Sequence, residues 1–278
     1  MLVNQRILWN DNGTEKDLSK SLNDFRGQTE VIGFVSADDY IYLASDMPFN
    51  HRYFDVAVVN DQTAAPTVDI WYAQAWESAV DIIDHTSVSD VTMAQSGILQ
   101  WKTDDDKGWD READSEEVTG VDIVGLYDMY WVRIGFDADL AGTFALNYLG
   151  HRFVEADSVL DDYYPDLNKT GFLAGFGVSD WTNQHFMAAE DIIRDLRKAG
   201  IITSPSQLLD WEKFEEAAVH KLAEIAYRGM GRHYREPKQD AQRDYARAFK
   251  QLNFNVDLNK NANLDRAERV HQSGYFGR

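Results

Sequence analysis

The sequence pattern changes once, near Glu155, and this change constrains the fold most strongly. Before Glu155, short runs of β-branched and aromatic side chains alternate with turn residues, and after it apolar side chains recur at helical spacing. The charge changes at the same place. Residues 1–155 carry 28 acidic and 10 basic side chains, whereas residues 156–278 carry 19 and 17. Strands followed by helices are typical of an α+β fold or of two separate domains.

The first part of the chain reads as β structure. Seven short runs predict strands: Val31–Phe34, Tyr40–Ala44, Tyr53–Val59, Val68–Tyr72, Ile98–Trp101, Tyr130–Phe136 and Phe144–Tyr148. Strands with this spacing, separated by turn signals, favour an antiparallel β-sandwich of jelly-roll type. The acidic stretch Thr103–Glu117 predicts a solvated loop, because its charge would be costly to bury.

The second part reads as an α-helical bundle. Four helices are predicted: Ala156–Tyr163, one from an N-cap at Ser179 or Asp180 to Lys198, one from Trp211 to about Gly229 with Asp210 as its cap, and one from Pro237 to about Leu252. Gly200 is expected to end the second helix in a left-handed conformation. The predicted division is therefore a β-sandwich domain at 1–155, a helical bundle at 156–252 and a tail at 253–278.

The composition excludes several functional classes. The chain has no Cys, so it has no disulfides, thiol catalysis or Cys-ligated zinc. Its first twenty residues contain no apolar core of a signal peptide, and no apolar run approaches the roughly 18 residues that span a bilayer. A formal net charge of -20 repels nucleic acid at long range.

The sequence contains no established catalytic motif. HExxH, GxSxG, P-loop and GxGxxG patterns are all absent. Carboxylate pairs occur at Asp38–Asp39, Asp161–Asp162 and Asp104–Asp106, but 47 acidic residues produce such pairs without any function. We therefore expect no enzyme, with a hydrolase that uses paired acids as the least favoured reading.

The clearest motif follows the calcium loop of an EF-hand near the C-terminus. Oxygen-bearing side chains recur at alternate positions and a Glu stands at the twelfth: Asp257, Asn259, Asn261, Asn263, Asp265 and Glu268. Ala262 occupies the position where the sharp turn normally requires Gly, which costs roughly 1–2 kcal/mol. The motif predicts modest calcium binding with a structural role, and a polar tail of chance spacing is the alternative.

Two further groups of side chains have open interpretations. Six aromatic residues in the β region would either stack on sugars or fill the core of the sandwich: Trp71, Tyr72, Trp76, Trp101, Trp109 and Trp131. Eight basic residues on the helices would either contact a partner or form a solvated face: Arg194, Arg197, Lys198, Arg228, Arg232, Arg235, Arg243 and Arg247. For both groups the structural interpretation is the simpler one.

Two segments of the helical part resemble the head–tail connectors, or adaptors, of tailed phages. The first segment is Ala188–Ile202, with the sequence AAEDIIRDLRKAGII. The second segment is Leu209–Tyr227, with the sequence LDWEKFEEAAVHKLAEIAY. The resemblance covers about 100 of the 278 residues. It implies a non-enzymatic virion protein of the neck region that is assembled in the host cytoplasm.

The resemblance also implies partners. Connectors of this kind form dodecameric rings between the portal and a stopper or terminator protein of the tail, with a channel through which DNA passes without sequence-specific binding. Their C-terminal segments reach toward the portal, which would make Tyr275 and Phe276 docking residues here. Calcium at Asp257–Glu268 would then shape this docking tail. The alternative is a virion fibre or baseplate component with a carbohydrate-binding β-sandwich.

Overall fold

The structure, a computed structural model, describes residues 5–104, 106–112, 118, 128–167, 179–263 and 269–271. The fold is α+β, with an N-terminal antiparallel β-sandwich followed by helices, as the sequence predicts. The chain divides into two compact units. The sandwich unit comprises Met1–Gly150 with Asp257–Asn263, and the helical unit comprises His151–Val256 with Leu264–Arg278.

Two antiparallel sheets form the sandwich unit, together with a short helix α1 (Ser19–Leu22). The strands in chain order are β1 (Gln5–Asp11), β2 (Thr14–Asp17), β3 (Glu30–Val31), β4 (Tyr40–Ser45), β5 (His51–Val58), β6 (Pro66–Tyr72), β7 (Ala75–Ser78), β8 (Val80–Asp84), β9 (Gly97–Lys102), β10 (Arg111–Glu112), β11 (Met129–Phe136) and β12 (Ala145–Gly150). The first sheet has the order β2-β1-β4-β11-β6-β7, with β10 also paired to β11. The second sheet has the order β3-β12-β5-β9-β8.

Alternation along the strands of the first sheet separates its two faces. Val132 lies opposite Ile70, and Ile134 opposite Val68, and all four side chains are at most 2% exposed. Side chains directly opposite each other in an antiparallel pair share a face. These aliphatic residues therefore form one buried face, while the intervening residues, such as Arg133, point to the other.

Contacts between the sheets hold the sandwich together. Gln5 on β1 donates from Nε2 to the carbonyl of Leu149 on β12 at 3.2 Å. Its Oε1 accepts a hydrogen bond from Nε of Arg52 on β5 at 2.9 Å. The ring of Phe34 packs edge-on against Phe136 of β11, with centroids 4.8 Å apart.

Six of the seven predicted strands are confirmed within a few residues, whereas only Val31 of the predicted Val31–Phe34 lies in a strand, and other strands were missed. The clearest omission is the hairpin of β1 and β2, whose turn residues Asn12 and Gly13 have φ values of 47° and 80°. Two consecutive residues with positive φ match the right-handed twist of a hairpin, and Asn-Gly is the preferred dipeptide for this turn. The signal was therefore present in the sequence.

The acidic stretch Thr103–Glu117 is not simply a solvated loop. Trp109 is 8% exposed and donates from Nε1 to Thr103 Oγ1 at 2.8 Å. Arg111 and Glu112 form β10 against β11. A buried indole and a short strand therefore anchor the described part of this stretch. Burial of the aromatic ring is favourable, and the neighbouring charged side chains can remain at the surface at little cost.

Within the residues that the structure describes, the helical unit contains four α-helices and a short strand pair. Their bounds are α2 (Leu160–Tyr163), α3 (Thr182–Lys198), α4 (Glu215–Gly229), α5 (Arg235–Gln251), β13 (Asn253–Asn255) and β14 (Arg269–His271). Short 3₁₀ turns precede α2, α4 and α5. Helix α4 packs against α2, α3 and α5, and every residue from Ala217 to Tyr227 is buried.

The helix ends refine the sequence predictions. Helix α3 begins at Thr182, whose N–H donates to Asp180 Oδ1 at 2.9 Å, and Gly200 follows its end with a φ of 72°, as predicted. Helix α5 begins at Arg235, so Pro237 lies in its first turn, where a missing N–H removes no helical hydrogen bond.

Asp210 stands at the predicted cap position, before the 3₁₀ turn Trp211–Phe214 that leads into α4, but its side chain does not cap. It accepts no capping hydrogen bond, and Oδ2 accepts from the backbone N–H of Asn255 at 3.1 Å. The Asp210 carboxylate therefore bonds to β13, a distant part of the chain, and not to the N–H groups at the start of its own helix. No helix in the described part of the chain is both long and apolar enough to cross a membrane.

Candidate functional site

The predicted calcium loop has a defined geometry around Asp257. This residue is fully buried, and its Oδ1 accepts hydrogen bonds from the backbone N–H groups of Lys260 at 2.7 Å and Asn261 at 3.2 Å. Its Oδ2 accepts from the N–H of Ala262 at 3.2 Å. The first side chain of the motif thus folds the next five residues around its own carboxylate.

The following ligand positions continue the same pattern. Asn259 Oδ1 accepts from the N–H of Asn261 at 3.1 Å, and Asn261 Oδ1 accepts from the N–H of Asn263 at 2.8 Å. Lys260 and Ala262 have positive φ values of 64° and 55°. The residues between the oxygen donors therefore take the left-handed turns that bring alternate side chains close together.

The structure brings four of the six predicted ligands into one tight loop. The carboxamide oxygen Oδ1 of Asn263 is buried and accepts no hydrogen bond. Asp265 and Glu268 lie outside the described residues, and among those described no group of three His, Asp or Glu side chains is placed to hold a metal. Carboxylate and amide oxygens are the donors that calcium prefers, so the described part of the loop fits this ion.

The strands that flank the loop bring its ends together. Strand β13 pairs antiparallel with β14, and Asn255 lies opposite Arg269. The pairing therefore holds the residues on either side of the segment 256–268 next to each other.

A buried ionic network connects three helices of the helical unit. Lys221 on α4 lies 3.0 Å from Glu224 Oε2 and 3.7 Å from Asp191 Oδ2 on α3. Its ammonium group also lies over the ring of Tyr245 on α5, 4.3 Å from the centroid. Lys221 is 9% exposed and Glu224 4%. A single buried cation thus contacts groups from all three packed helices.

Glu224 is the most heavily used acceptor in this network. Its Oε1 accepts from Arg228 Nη2 at 2.7 Å and from Gln242 Nε2 at 2.9 Å. Burial alone would raise the pKa of Glu224, but the hydrogen bonds from Gln242, Lys221 and Arg228 outweigh it and hold the pKa below its usual value. The carboxylate therefore stays charged in the interior.

A second polar pair, between buried His185 and half-buried Asp157, joins the start of the helical unit to α3. His185 Nε2 lies 2.8 Å from Asp157 Oδ1, and Asp157 Oδ2 accepts from the N–H of Trp181 at 3.0 Å. Burial lowers the pKa of His185 to about 4, despite the opposing effect of Asp157. At neutral pH the imidazole is therefore uncharged, and the pair positions the N-terminal turn of α3.

The buried ion pair of Lys221 and Glu224 was not predicted from the sequence. Lys221 and Glu224 stand three residues apart inside an Ala-rich segment whose neighbours are all buried. That combination is a usable signal, because a Lys and a Glu one turn apart in an otherwise apolar helix can be buried only as a pair.

Four of the six aromatic candidates for sugar stacking are core residues. Trp71, Trp101, Trp109 and Trp131 are each at most 8% exposed. Tyr72 and Trp76 are partly exposed, and Trp76 lies beside Trp71 and Tyr42 at centroid distances of 5.2 and 5.8 Å. Stacking on a ligand from this set would therefore depend on Tyr72 and Trp76.

An arginine is held within the same aromatic group. Arg133 lies over the rings of Tyr40 and Trp76 at 4.6 and 4.9 Å, and its Nε donates to Asp69 Oδ2 at 2.8 Å. A sugar site would use aromatic rings and a carboxylate, and here Arg133 already contacts both kinds of group. These contacts stabilise the sheet as cross-strand pairs.

The paired carboxylates are not brought together into a catalytic arrangement. Asp39 is fully buried and accepts from the backbone N–H groups of Asn12 and Val35 at 3.0 and 2.8 Å, while Asp38 is exposed. Asp161 and Asp162 lie exposed on α2. The docking residues Tyr275 and Phe276 lie outside the described residues. Comparison with known proteins found no matching family model and no similar curated protein.

Proposed function

We propose that the protein is a structural virion component, a head–tail connector that forms a ring between portal and tail. It acts by assembly and not by catalysis. The observation that carries this proposal is the placement of the two segments that resemble connectors. Ala188–Ile202 contributes most of α3, and Leu209–Tyr227 contributes the 3₁₀ turn and helix of α4. These two helices pack against each other around the buried ionic network.

The enclosure of α4 supports an assembly module. Because α2, α3 and α5 cover this helix, its apolar stripe is used inside the subunit. The charged outer faces of the surrounding helices would then make the contacts with other subunits. Such faces suit a protein that folds as a monomer and assembles later, since a charged surface keeps the unassembled subunit soluble.

The charge of the chain suits a DNA channel. Residues 1–155 carry 28 acidic and 10 basic side chains. A negative surface beside the DNA path repels phosphates, so a genome could slide through a hydrated channel without sticking. No sequence-specific contact with DNA is proposed.

Electron microscopy of the purified protein, alone and mixed with its portal, tests the connector function. We expect rings on the portal, or rings of the free protein. A chain that remains monomeric with the portal and shows no binding to it would contradict the proposal. Glu224→Ala provides a folding control, because leaving the buried Lys221 ammonium without this carboxylate should destabilise the helical unit without changing the outer faces.

Portal docking is best tested with a double substitution. Deleting everything after Leu252 would also remove Phe254, whose ring packs on Phe214 with centroids 4.7 Å apart. Tyr275→Ala with Phe276→Ala leaves that contact in place. We expect this variant to fold normally and to lose portal binding, and unchanged binding would reject the docking role of the two residues.

The loop at Asp257–Glu268 is proposed to bind calcium and to stabilise the C-terminal segment. The arrangement of oxygen donors around Asp257 supports this. With three carboxylates in the motif, the dissociation constant should be on the order of 10⁻⁴–10⁻³ M. Isothermal titration with calcium should give a binding isotherm that Glu268→Gln weakens, with Glu190→Gln as an exposed control. Absence of heat in the millimolar range would remove the ion from the proposal.

Sugar binding by the sandwich is the second candidate function. It rests on the partial exposure of Tyr72 and Trp76. A glycan array with the whole protein tests it, and Trp76→Ala should abolish any retention. Retention that survives this substitution would place the sugar elsewhere.

A further inference from the structure

The two ends of α4 carry opposite charges on the surface of the helical unit. At its start lies an acidic patch, which we define as Glu155, Asp162, Tyr163, Glu215 and Glu216. At its end lies a basic turn, which we define as Arg228, Arg232 and Arg235. At 1.5 Å per residue, Glu216 and Arg228 are separated by about 18 Å along the helix axis. The two clusters therefore occupy distinct places.

The acidic patch surrounds an exposed aromatic ring. Tyr163 is 42% exposed, and its ring stands edge-on to His220 with centroids 5.3 Å apart. Its pKa is raised by burial and by the charges of Glu216, Glu215 and Asp162, which places these carboxylates around it. The Glu216 side chain is 60% exposed. Glu216 Oε1 lies 4.0 Å from Nε2 of His220, the ring that Tyr163 contacts, and an exposed aromatic ring with carboxylates nearby is well suited to receive a guanidinium group.

Like charges crowd one another within this patch. Burial raises the pKa of Glu215, and the neighbouring charge of Glu155 raises it further. Both effects disfavour the ionised carboxylate in the isolated chain. A cation placed against the patch would relieve this repulsion.

The basic turn is exposed and held in a fixed shape. Gly231 has a φ of 85°, and the ring of Tyr234 stacks on Tyr227 at 6.0 Å with an interplanar angle of 15°. Arg232 and Arg235 are exposed and form no ion pair with any residue that the structure describes. Arg228 reaches Glu224 but keeps 52% of its side chain exposed. The turn thus presents arginines with donors that remain available.

Helix stability explains only part of this charge distribution. Acidic residues in the first turn of α4 and Arg228 in its last turn interact favourably with the helix dipole. Arg235, however, is the first residue of α5, where a cation is disfavoured by the dipole. Glu155 and Asp162 come from outside α4 altogether.

We infer that the basic turn of one copy docks on the acidic patch of the next copy, so that this protein associates head to tail. The argument is charge complementarity between two separate surfaces of the same unit, with Tyr163 as the aromatic anchor for an arginine. Two different patches on each subunit make a heterologous contact, and such a contact closes into a ring when the rotation between copies permits. The contact between copies is inferred independently of the proposed function, and only the closure of the copies into a ring rests on that function.

Cross-linking between copies tests the contact directly, because the chain contains no Cys. Tyr163→Cys and Arg235→Cys variants are mixed and treated with a short bismaleimide. We expect the mixture to form cross-linked dimers that neither variant forms alone. Gln74→Cys, an exposed position on the sandwich unit, replaces either partner as the matched control. Dimer yields equal to that of the control would overturn the inference.

A charge swap provides the second test. One variant carries Arg232→Glu with Arg235→Glu, and the other carries Glu215→Arg with Glu216→Arg. Each alone should associate about tenfold more weakly than the unmodified protein, as judged by sedimentation at low salt. Mixing them should restore association, because the reversed patches are again complementary. Circular dichroism of each variant establishes that it is folded.

The outcomes separate this contact from other partners and from the connector function. If the mixture of charge-reversed variants fails to associate although both are folded, the contact is overturned. It is also overturned if the basic turn binds duplex DNA and no cross-linking between copies occurs. Cross-linking between copies with no binding to the portal would support the contact and contradict the connector function.

Discussion

The two units bury polar side chains for different purposes. In the sandwich unit, the buried carboxylate of Asp39 accepts from the backbone N–H groups of Asn12 and Val35. In the helical unit, the buried carboxylate of Glu224 accepts from other side chains, among them Lys221. Buried acids in the first unit satisfy backbone groups, and those in the second unit satisfy buried cations.

The difference follows from where each fold leaves its backbone groups. Inside a helix every N–H has an acceptor four residues earlier, so a buried side chain finds no backbone donor and must pair with another side chain. The connections between strands leave N–H groups without such partners, and burying them unpaired is costly. Asn60 illustrates the same use, since its Oδ1 accepts from the backbone of Gln62 and Ala141.

The largest expected effect is the loss of Glu224. Glu224→Ala leaves the ammonium group of Lys221 buried with a weakened set of partners, so the free energy of unfolding should fall by about 3–5 kcal/mol. Urea denaturation measures this, with the exposed Glu190→Ala as control. Replacing both residues, with Lys221→Met and Glu224→Leu, should recover much of the loss. A loss below about 1 kcal/mol in Glu224→Ala would show that the network carries little stability.

Removal of Asp39 should have the next largest effect. Asp39→Ala leaves the part-buried backbone N–H groups of Asn12 and Val35 without this acceptor, and the expected cost is about 2–4 kcal/mol in the sandwich unit. Asp38→Ala, at the exposed neighbour, should change stability by less than about 0.5 kcal/mol. Thermal or urea unfolding compares the two variants. Equal effects at both positions would contradict the backbone role of Asp39.

Both units share a sensitivity to acid through buried neutral histidines. Burial lowers the pKa of His185 to about 4, and burial followed by the charge of Arg52 lowers that of His51 to about 3. Because these pKa values lie below 6.5, the unfolded chain binds protons first as the pH falls. Stability that is present above pH 6.5 is therefore lost as the pH falls toward 4.

The expected loss through His185 is about 3 kcal/mol over that range. His185→Asn should flatten the pH dependence of unfolding for the helical unit, and His51→Asn should do so for the sandwich unit. The lowered pKa of Asp157 affects stability only near and below its ordinary value of 3.8, and that of Glu224 as the pH falls through 4.5. The lowered pKa of His220 contributes over the same range as that of His185, so the difference between the unmodified protein and His185→Asn isolates the share of His185. A pH dependence that is unchanged in His185→Asn would contradict its assignment.

The smallest expected effect concerns the calcium loop. Ala262 has a φ of 55°, so Ala262→Gly should stabilise the loop by about 1 kcal/mol and tighten calcium binding correspondingly. Ala246→Gly, on the exposed face of α5, should destabilise by about 1 kcal/mol. Opposite signs for the same substitution would establish that backbone conformation is the cause. Calcium titration of both variants measures the effect on affinity.

Local patterns carried most of the fold prediction. Alternation in Val68–Tyr72 predicted a strand that runs from Pro66 to Tyr72, and Gly200 ended its helix as expected. The hairpin at Asn12–Gly13 was predictable from its turn but was missed. These features depend on residues that are near one another in sequence, which is why short windows contain the information.

The assignments that failed depend on distant contacts. Asp210 was expected to cap a helix, but the N–H of Asn255, far along the chain, takes its carboxylate. The calcium loop lies between these two kinds of prediction. Its spacing is visible in the sequence, yet only the structure shows Asp257 buried with three backbone N–H groups around it.

The division into β and α parts, the position of most elements and the spacing of the loop donors can be predicted from the amino-acid sequence, because each depends on periodicity and turn chemistry along the chain. Which charges are buried, and which partners they have, depends on how the elements pack. Lys221 and Glu224 become partners of Asp191 and Tyr245 because α3, α4 and α5 pack together. Whether a side chain is buried depends on the elements that pack around it, and these are distant in sequence, so a local sequence pattern does not reveal them.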